Sequence, residues 1–366
     1  MSTELIYQLA LTKVPHIGPV HARTLLQHCN AEEIFHARRS FLEKIEGIGP
    51  QRAAAIAAFK DFSSVEKEIA FLQKFNIQPL FITDNAYPSR LLHCYDAPTL
   101  LYYKGTADLN APKMVAVIGT RTHTAYARQV TEKIIEDLAS LHITVVSGLA
   151  YGVDAVAHKA ALHHQLPTIG VLAHGLDQVY PAAHGALARD MLKNNGGLLT
   201  EYGSGTMPDK HNFPARNRIV AGMCDAVIVV ETGIKGGSMI TAELANDYNK
   251  DVFAVPGRIG DEKSAGCLSL IRNNKAVLLT AAGEIADLLG WRDRKKSPSK
   301  KQKELFIELS PPEKSIVSIL AGKEQLHIDE INGQSGLSMS AVAAAILNLE
   351  LQNVVVSLPG KLYKLA

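Results

Sequence analysis

Met114-Val115-Ala116-Val117-Ile118-Gly119-Thr120-Arg121 decides the fold class. Five apolar residues, rich in β-branched side chains, run straight into a glycine. That suits a strand buried on both faces which turns sharply at its carboxyl end. The pattern then recurs. Apolar runs end at Ile118, Val146, Leu172, Thr200, Val230, Val255 and Leu279, with helix-like stretches between most of them. In the first such stretch Val130, Ile134, Leu138 and Leu141 fall on one helical face. Alternation of this kind from Met114 to about Leu289 predicts an α/β fold with a doubly wound, mostly parallel sheet. Upstream, Pro79, Pro88 and Pro98 interrupt the short apolar runs between Ile77 and Gly105, which read as an irregular lead-in to the sheet.

The flanks read differently. Leu11-x-x-Val14-x-x-Ile17-Gly18-Pro19-x-x-Ala22 returns as Leu42-x-x-Ile45-x-x-Ile48-Gly49-Pro50-x-x-Ala53, an offset of 31 residues (42 − 11). Each copy reads as helix, tight glycine turn, helix, which looks like a helix-hairpin-helix pair. Such turns either hold a backbone phosphate without reading sequence or simply pack. His16 in the first copy replaces Gly47 of the second and weakens that copy as a phosphate cradle. Arg292 to Lys303 is a basic, proline-containing linker, either a solvated hinge or a contact segment. Beyond it, Pro311-Pro312-Glu313 opens a helix, two more follow around Gly336, and Pro359-Gly360-Lys361 turns a hairpin. This is a winged-helix pattern, but the helix that would enter a DNA groove carries alanines and serines and no basic side chain. Direct base reading is therefore not expected of it. The expected domains are 1–72, helical; 73–291, α/β; 292–309, linker; and 310–366, winged-helix-like.

Open α/β sheets bind ligands beyond the carboxyl ends of their strands. Here those ends carry Gly119-Thr120-Arg121, Ser147-Gly148, Ala173-His174-Gly175, Glu201-Tyr202, Gly236-Gly237-Ser238 and Pro256-Gly257. Glycines admit a ligand to the backbone, and hydroxyls with helix N-termini suit phosphates. The first turn lacks GxGxxG, strand two ends in Ser147 where a ribose-binding acid would stand, and no Walker A lysine motif occurs. NAD and ATP are not expected, nor any other cofactor.

Asn212-Phe213-Pro214-Ala215-Arg216-Asn217-Arg218 places two arginines and an asparagine at a proline-started helix, behind an aromatic ring. A helix N-terminus already favours anions, so two cations there either await an anion or pair with nearby carboxylates. With Arg121 and Lys210 on the same rim, the pattern points to a ligand with several phosphates. Arg121 itself is either a phosphate clamp or an ion-pair partner. Asp154 and His158 would share a helix face, as an oriented base or as a cap and a core histidine. Glu231 and Glu243 could act as acids, but no nucleophile stands beside them.

At 366 residues, 47% hydrophobic and 20% charged, the chain fits a globular protein of two or three domains, and its net charge of +2 excludes a polycation while allowing a local basic site. Cys29, Cys94, Cys224 and Cys267 form no CxxC pair, and the 14 histidines form no metal-ligand spacing. No metal is expected. There is no signal-like N-terminus and no apolar run of about 18 residues, so the expectation is a cytoplasmic protein without a membrane partner.

Together, Val115–Arg121, Ser147–Asp154 with Ala157-His158, Gly175-Leu-Asp177 with Tyr180-Pro181, Phe213–Arg218, and Gly237-Ser238 with Thr241-Ala242 resemble, in order, the motifs of the DprA/Smf family, DNA-processing protein A. The resemblance implies an extended Rossmann-like core that binds single-stranded DNA without sequence preference. It implies a homodimer that loads the RecA recombinase onto incoming DNA in natural transformation, a non-enzymatic role. Carried over, Gly119, Thr120, Arg121, Ser147, Gly148, Lys210, Arg216, Asn217, Arg218, Gly237 and Ser238 would hold phosphates, and Phe213 would stack a base. The rival reading is an enzyme. Gly236 to Glu243 faintly resembles the motif of nucleoside-monophosphate phosphoribohydrolases, with altered spacing.

Overall fold

The computed structural model describes residues 3–258, 260–291, 309–352 and 354–365. The basic stretch Arg292 to Lys303 lies outside the described residues. By its internal contacts the chain divides into two compact units, Met1–Asp293 and Arg294–Ala366.

The first unit opens with six helices: α1 (Thr3–Lys13), α2 (Pro19–Leu26), α3 (Ala31–His36), α4 (Arg39–Leu42), α5 (Gly49–Ala58) and α6 (Phe62–Lys74). Asn30 and Glu33 form a reciprocal capping box on α3, and Asp61 caps α6. The repeat seen in the sequence is partly a repeat of backbone. His16 and Gly47, which correspond, are both left-handed, at φ 65° and 79°. The second glycines differ: Gly49 is left-handed at 63°, whereas Gly18 before α2 has φ −94°. Arg52 ties the two turns together, donating to the carbonyls of His16 (3.2 Å) and Gly47 (3.1 Å).

The lead-in is more regular than the prolines imply. Residues 77–105 supply β1 (Gln78–Phe81) and β2 (Leu100–Gly105), which pair antiparallel. Pro79 sits on β1, at the edge of the sheet, where a missing N–H breaks no interior ladder. Pro88 and Pro98 fall in the connection. The alternating region follows as β3 (Met114–Ile118), α7 (Ala125–Leu138), β4 (Thr144–Ser147), α8 (Val153–His163), β5 (Thr168–Val171), α9 (Gly185–Lys193) and β6 (Gly197–Thr200). It continues as α10 (Asn212–Gly222), β7 (Ala226–Val229), α11 (Gly237–Asp247), β8 (Asp251–Ala254), α12 (Ala265–Arg272), β9 (Val277–Leu278) and α13 (Ala282–Leu288). Strand order is β1-β2-β6-β5-β4-β3-β7-β8-β9, parallel from β6 to β9, with β2 antiparallel to β6. This is the doubly wound, Rossmann-like arrangement, extended by an antiparallel pair at one edge.

Alternate strand residues feed two cores. Val115, Val117, Val145, Ala226 and Ile228 face α7 and α8. Ala116, Ile118, Val146, Val227 and Val229 face the other side, where α10, α11 and α12 pack. That second core runs on without a break into the N-terminal helices, through Leu9, Leu72, Leu101 and Tyr102. The helical segment and the sheet therefore share one interior despite their separate sequence signatures. Arg23 of α2 reinforces the junction by donating to the carbonyls of Leu92 and Cys94, each at 3.1 Å.

The second unit contains α14 (Pro311–Leu320), β10 (Leu326–His327), α15 (Ile328–Ser335), α16 (Met339–Leu351), β11 (Val355–Leu358) and β12 (Leu362–Leu365). Its strands form the small sheet β10-β12-β11, and Ile316, Ile331, Val342 and Leu349 fill its core. This is a winged-helix fold. No described helix is long and apolar enough to cross a membrane.

Arg23→Ala removes two charge-assisted bonds to backbone carbonyls and should lower the unfolding free energy by about 2 kcal/mol. Urea denaturation followed by circular dichroism measures this; a change under about 0.5 kcal/mol would show that apolar packing alone joins the helices to the sheet.

Candidate functional site

The parallel strands reverse order between β3 and β7, and a cleft of about 720 Å³ opens at their carboxyl ends. Its floor is backbone. The turn after β3 brings Gly119 and Thr120, the turn after β4 brings Gly148, and the turn after β7 brings Thr232 and Gly233. These turns are knitted by main-chain bonds: Thr120 N donates to Glu231 O at 2.7 Å, and Val153 N to Thr120 O at 3.2 Å. Closeness leaves no room for side chains at two of them. A Cβ on Gly119 would strike Val153, and one on Gly148 would lie inside the Arg216 guanidinium.

Two helix starts form the walls. α11 begins at Gly237 behind Gly236, with no side-chain cap, so its first amides face the cleft unshielded by a capping oxygen. The Ser238 hydroxyl donates to Thr232 Oγ1 at 2.7 Å. α10 begins at Asn212 and presents Phe213, Arg216 and Asn217. Asn217 Nδ2 reaches the Gly237 carbonyl at 3.4 Å and bridges the walls. The exposed Arg121 guanidinium lies over the Phe213 ring, 5.3 Å from its centre, a cation–π contact. Lys210, also exposed, stands on the loop before α10.

Arg216 differs from these cations. It is 4% exposed, and burial pulls its guanidinium down to about 10, so it remains charged at neutral pH. Nη1 donates to the Val171 carbonyl, while Nε has no hydrogen-bond partner among the described residues. Asp154 supplies the nearby negative charge. Burial raises its pKa and the Arg216 charge opposes that rise. The Asp154 carboxylate also accepts from Gly148 N (3.1 Å) and Ala150 N (3.3 Å), which fixes the turn after β4.

Gly119, Thr120, Arg121, Gly148, Lys210, Phe213, Arg216, Asn217, Gly237 and Ser238 thus meet in one cleft. Two expected members do not. Ser147 is fully buried and donates to Val117 O at 2.6 Å, locking β4 to β3 instead of facing a ligand. Arg218 follows Arg216 by two residues, roughly 200° around the helix. It points away from the cleft, pairs with Glu201 and donates to the Asp96 carbonyl.

Nor do the candidate acids and base assemble. His158, fully buried where α8 packs on the sheet, has Nδ1 2.6 Å from Thr168 Oγ1. Since that hydroxyl already donates to Val145 O, His158 must donate to it, and burial depresses its pKa to about 3. It is a neutral core residue with no link to Asp154. Glu231 accepts from Thr124 N and Oγ1 and so anchors the start of α7. Glu243, required by the hydrolase reading, is exposed, 3.8 Å from Lys275, and does not line the cleft. No group of three or more potential metal ligands occurs among the described residues.

A second aromatic, quoted in a sequence motif but not assigned to the site, also lines the cleft. Tyr180, half exposed, sets its ring 6.0 Å from that of Phe213 and doubles the aromatic surface. The Tyr180-Pro181 pair was the available signal.

Arg216→Ala should destabilise the fold by about 3 kcal/mol, because it leaves the buried Asp154 charge unopposed. Guanidinium unfolding tests this; a loss below about 0.5 kcal/mol would mean that Arg216 behaves as a surface cation.

The family model for "DNA recombination-mediator protein A" matches residues 78–290. Residues 300–361 match the DprA winged helix domain, and residues 9–67 match a SAM-like helix-hairpin-helix tandem. The chain is 33% identical over 397 residues to protein Smf of Synechocystis, covering 99% of each. It is 45% identical over 214 residues to the DNA processing protein DprA of Streptococcus pneumoniae, covering 58% of this chain and 74% of that one. The X-ray structure of the Streptococcus pneumoniae protein superposes with a TM-score of 0.66 at 36% identity, over 78% of this chain and 98% of the other. A Helicobacter pylori DNA processing protein A structure, described by its single-stranded DNA binding mode, superposes with a TM-score of 0.53 at 34% identity, over 59% of this chain and 96% of that one. With its architecture and its whole length matched, the chain belongs to the DprA/Smf family of DNA recombination-mediator proteins.

Proposed function

We propose that the cleft binds single-stranded DNA without sequence preference, and that the bound strand is handed to the RecA recombinase during natural transformation, with the protein acting as a homodimer. One observation carries the DNA reading. Exposed cations, an uncapped helix start and paired aromatic rings line a single open cleft of about 720 Å³. Backbone amides and cations bind phosphate, which every nucleotide carries, and a ring stacks any base. A mononucleotide site needs only one of the anion positions. The single-stranded DNA binding named for the Helicobacter pylori relative supports the same ligand, and the family's description as recombination mediators supports the RecA role.

In this reading phosphates lie against Gly119-Thr120 and Gly237-Ser238. Arg121 and Lys210 are the mobile clamps. Arg216 contributes positive charge from beneath Gly148, and Asn217 holds the two walls at a fixed spacing. Phe213 receives a base beside the Arg121 guanidinium. Ser147 and Arg218 act indirectly, through the sheet and through the seat of α10.

Fluorescence titration of a labelled oligonucleotide at several salt concentrations tests the assignment. Arg121→Ala and Lys210→Ala should each weaken binding and reduce the slope of log K against log salt by about 0.7, one phosphate contact on a single strand. Unchanged slopes in both would remove the cleft as the binding site. Phe213→Ala should weaken binding by about 1–3 kcal/mol with its slope retained; unchanged affinity would make Phe213 a packing residue. Filament formation by the cognate RecA on the same oligonucleotide, with and without this protein, tests the handover, and equal rates would exclude it.

A further inference from the structure

The loop between β6 and α10 carries Lys210 to the cleft, and its opposite end is held by a residue of the N-terminal helices. Glu68 on α6 is a buried carboxylate, 6% exposed. It accepts from the Ser204 amide at 2.9 Å and from the Ser204 hydroxyl. A carboxylate taken out of water needs such donors, and a loop amide gains a fixed partner in return. The same loop is tied to the segment that follows β5 by other bonds. Gly205 N donates to Asp177 Oδ1 at 3.0 Å, and the Thr206 carbonyl accepts from Gly175 N (3.0 Å) and from Gln178 Nε2 (3.1 Å). After Thr206 the loop is more exposed, through Met207 and Asp209 to Lys210. The loop is thus held at its base by bonds to other segments and more exposed towards its cleft-facing end, where, among the described residues, Asp209 accepts only from the following His211 and Asn212 amides.

We propose that Glu68 is a positioning residue for the DNA cleft: by clamping Ser204, the N-terminal helices hold the loop in the register that sets Lys210 on the phosphate track. The inference rests on the cleft reading above. It gives the helical module a role in strand binding that requires no contact between that module and DNA. The geometry favours a positional effect over a purely structural one. Glu68 touches the loop and not the cleft, while the core that joins the helices to the sheet is apolar and continuous without it. Releasing Ser204 therefore removes the anchor that the helices supply, loosening the start of the loop while the bonds at Gly205 and Thr206 remain, and leaves the junction packed. A loosened Lys210 samples positions off the track, and the ordering entropy must then be supplied on binding.

The test is a double-mutant cycle on the full chain, read by binding of a labelled poly-dT oligonucleotide at several salt concentrations. Glu68→Ala should weaken binding several-fold and reduce the salt slope by about 0.7, as Lys210→Ala does. The double variant Glu68→Ala/Lys210→Ala should bind no more weakly than Lys210→Ala alone. Ser204→Ala, which leaves Glu68 in place and removes one donor at an only part-buried site, should move affinity in the same direction by a smaller factor and keeps the test open should Glu68→Ala fold poorly. Wild-type affinity and slope in Glu68→Ala and Ser204→Ala, beside a weakened Lys210→Ala, overturn the clamp and leave the cleft standing. Additive losses in the double variant also overturn it. Wild-type binding in Lys210→Ala overturns the clamp together with Lys210's place on the track.

Discussion

A guanidinium buried beneath a bare glycine is the constraint on which the cleft depends. Arg216 enters from α10, passes the face of Gly148 where any side chain would collide, and ends on the Val171 carbonyl. Few arrangements tolerate a full charge at 4% exposure. This one works because Asp154 lies near enough to oppose it and is itself held by two amides of the same turn. The outcome joins the end of β4, the end of β5 and the start of α10 around one cation. Moving any of the three would leave a buried charge without its surroundings. The positions of Phe213 and Asn217, one turn or less along α10, follow from that fixation.

The rest of the cleft uses cheaper devices. Main-chain bonds hold Thr120 to Glu231 and to Val153 and hold Thr232 to Gly266 of α12, and the uncapped start of α11 supplies amide donors because no residue there competes for them. Cations that contact solvent, Arg121 and Lys210, are left to flexible side chains on turns and loops. Under the proposed function, a rigid floor with cations on exposed side chains suits a polymer whose phosphates recur at variable spacing.

Much of this was legible in the sequence where one physical cause dominates. Strands β3 to β8 are buried on both faces, so their apolar runs stand out, and the glycines after them mark where backbone comes close. The repeat at an offset of 31 was visible because each copy must make the same turn. Elsewhere competing causes were hidden. β1 and β2 are short antiparallel strands with a proline on the edge, and their pattern resembled a loop. Arg216 and Arg218 look alike in the sequence, yet a rotation of two residues sends one under the cleft and the other to Glu201 and Asp96. Asp154 and His158 share a helix spacing, but Asp154 is held by the turn after β4 and His158 by Thr168 on β5. Tyr180 gave only a Tyr-Pro pair, since its neighbour Phe213 lies more than thirty residues away.

By itself the sequence determined the α/β class, the winged-helix pattern, the strand ends where the cleft opens, and the family to which the chain belongs. These are local properties: periodicity, turn chemistry and short motifs are set by neighbouring residues. Only the tertiary structure decided which of the motif residues face the cleft, which lock the sheet, and that the N-terminal helices share their core with the sheet and hold the loop carrying Lys210. Those choices depend on burial and on partners distant in the chain. Whether an arginine or a carboxylate is free to meet a ligand is settled by what packing has already placed against it.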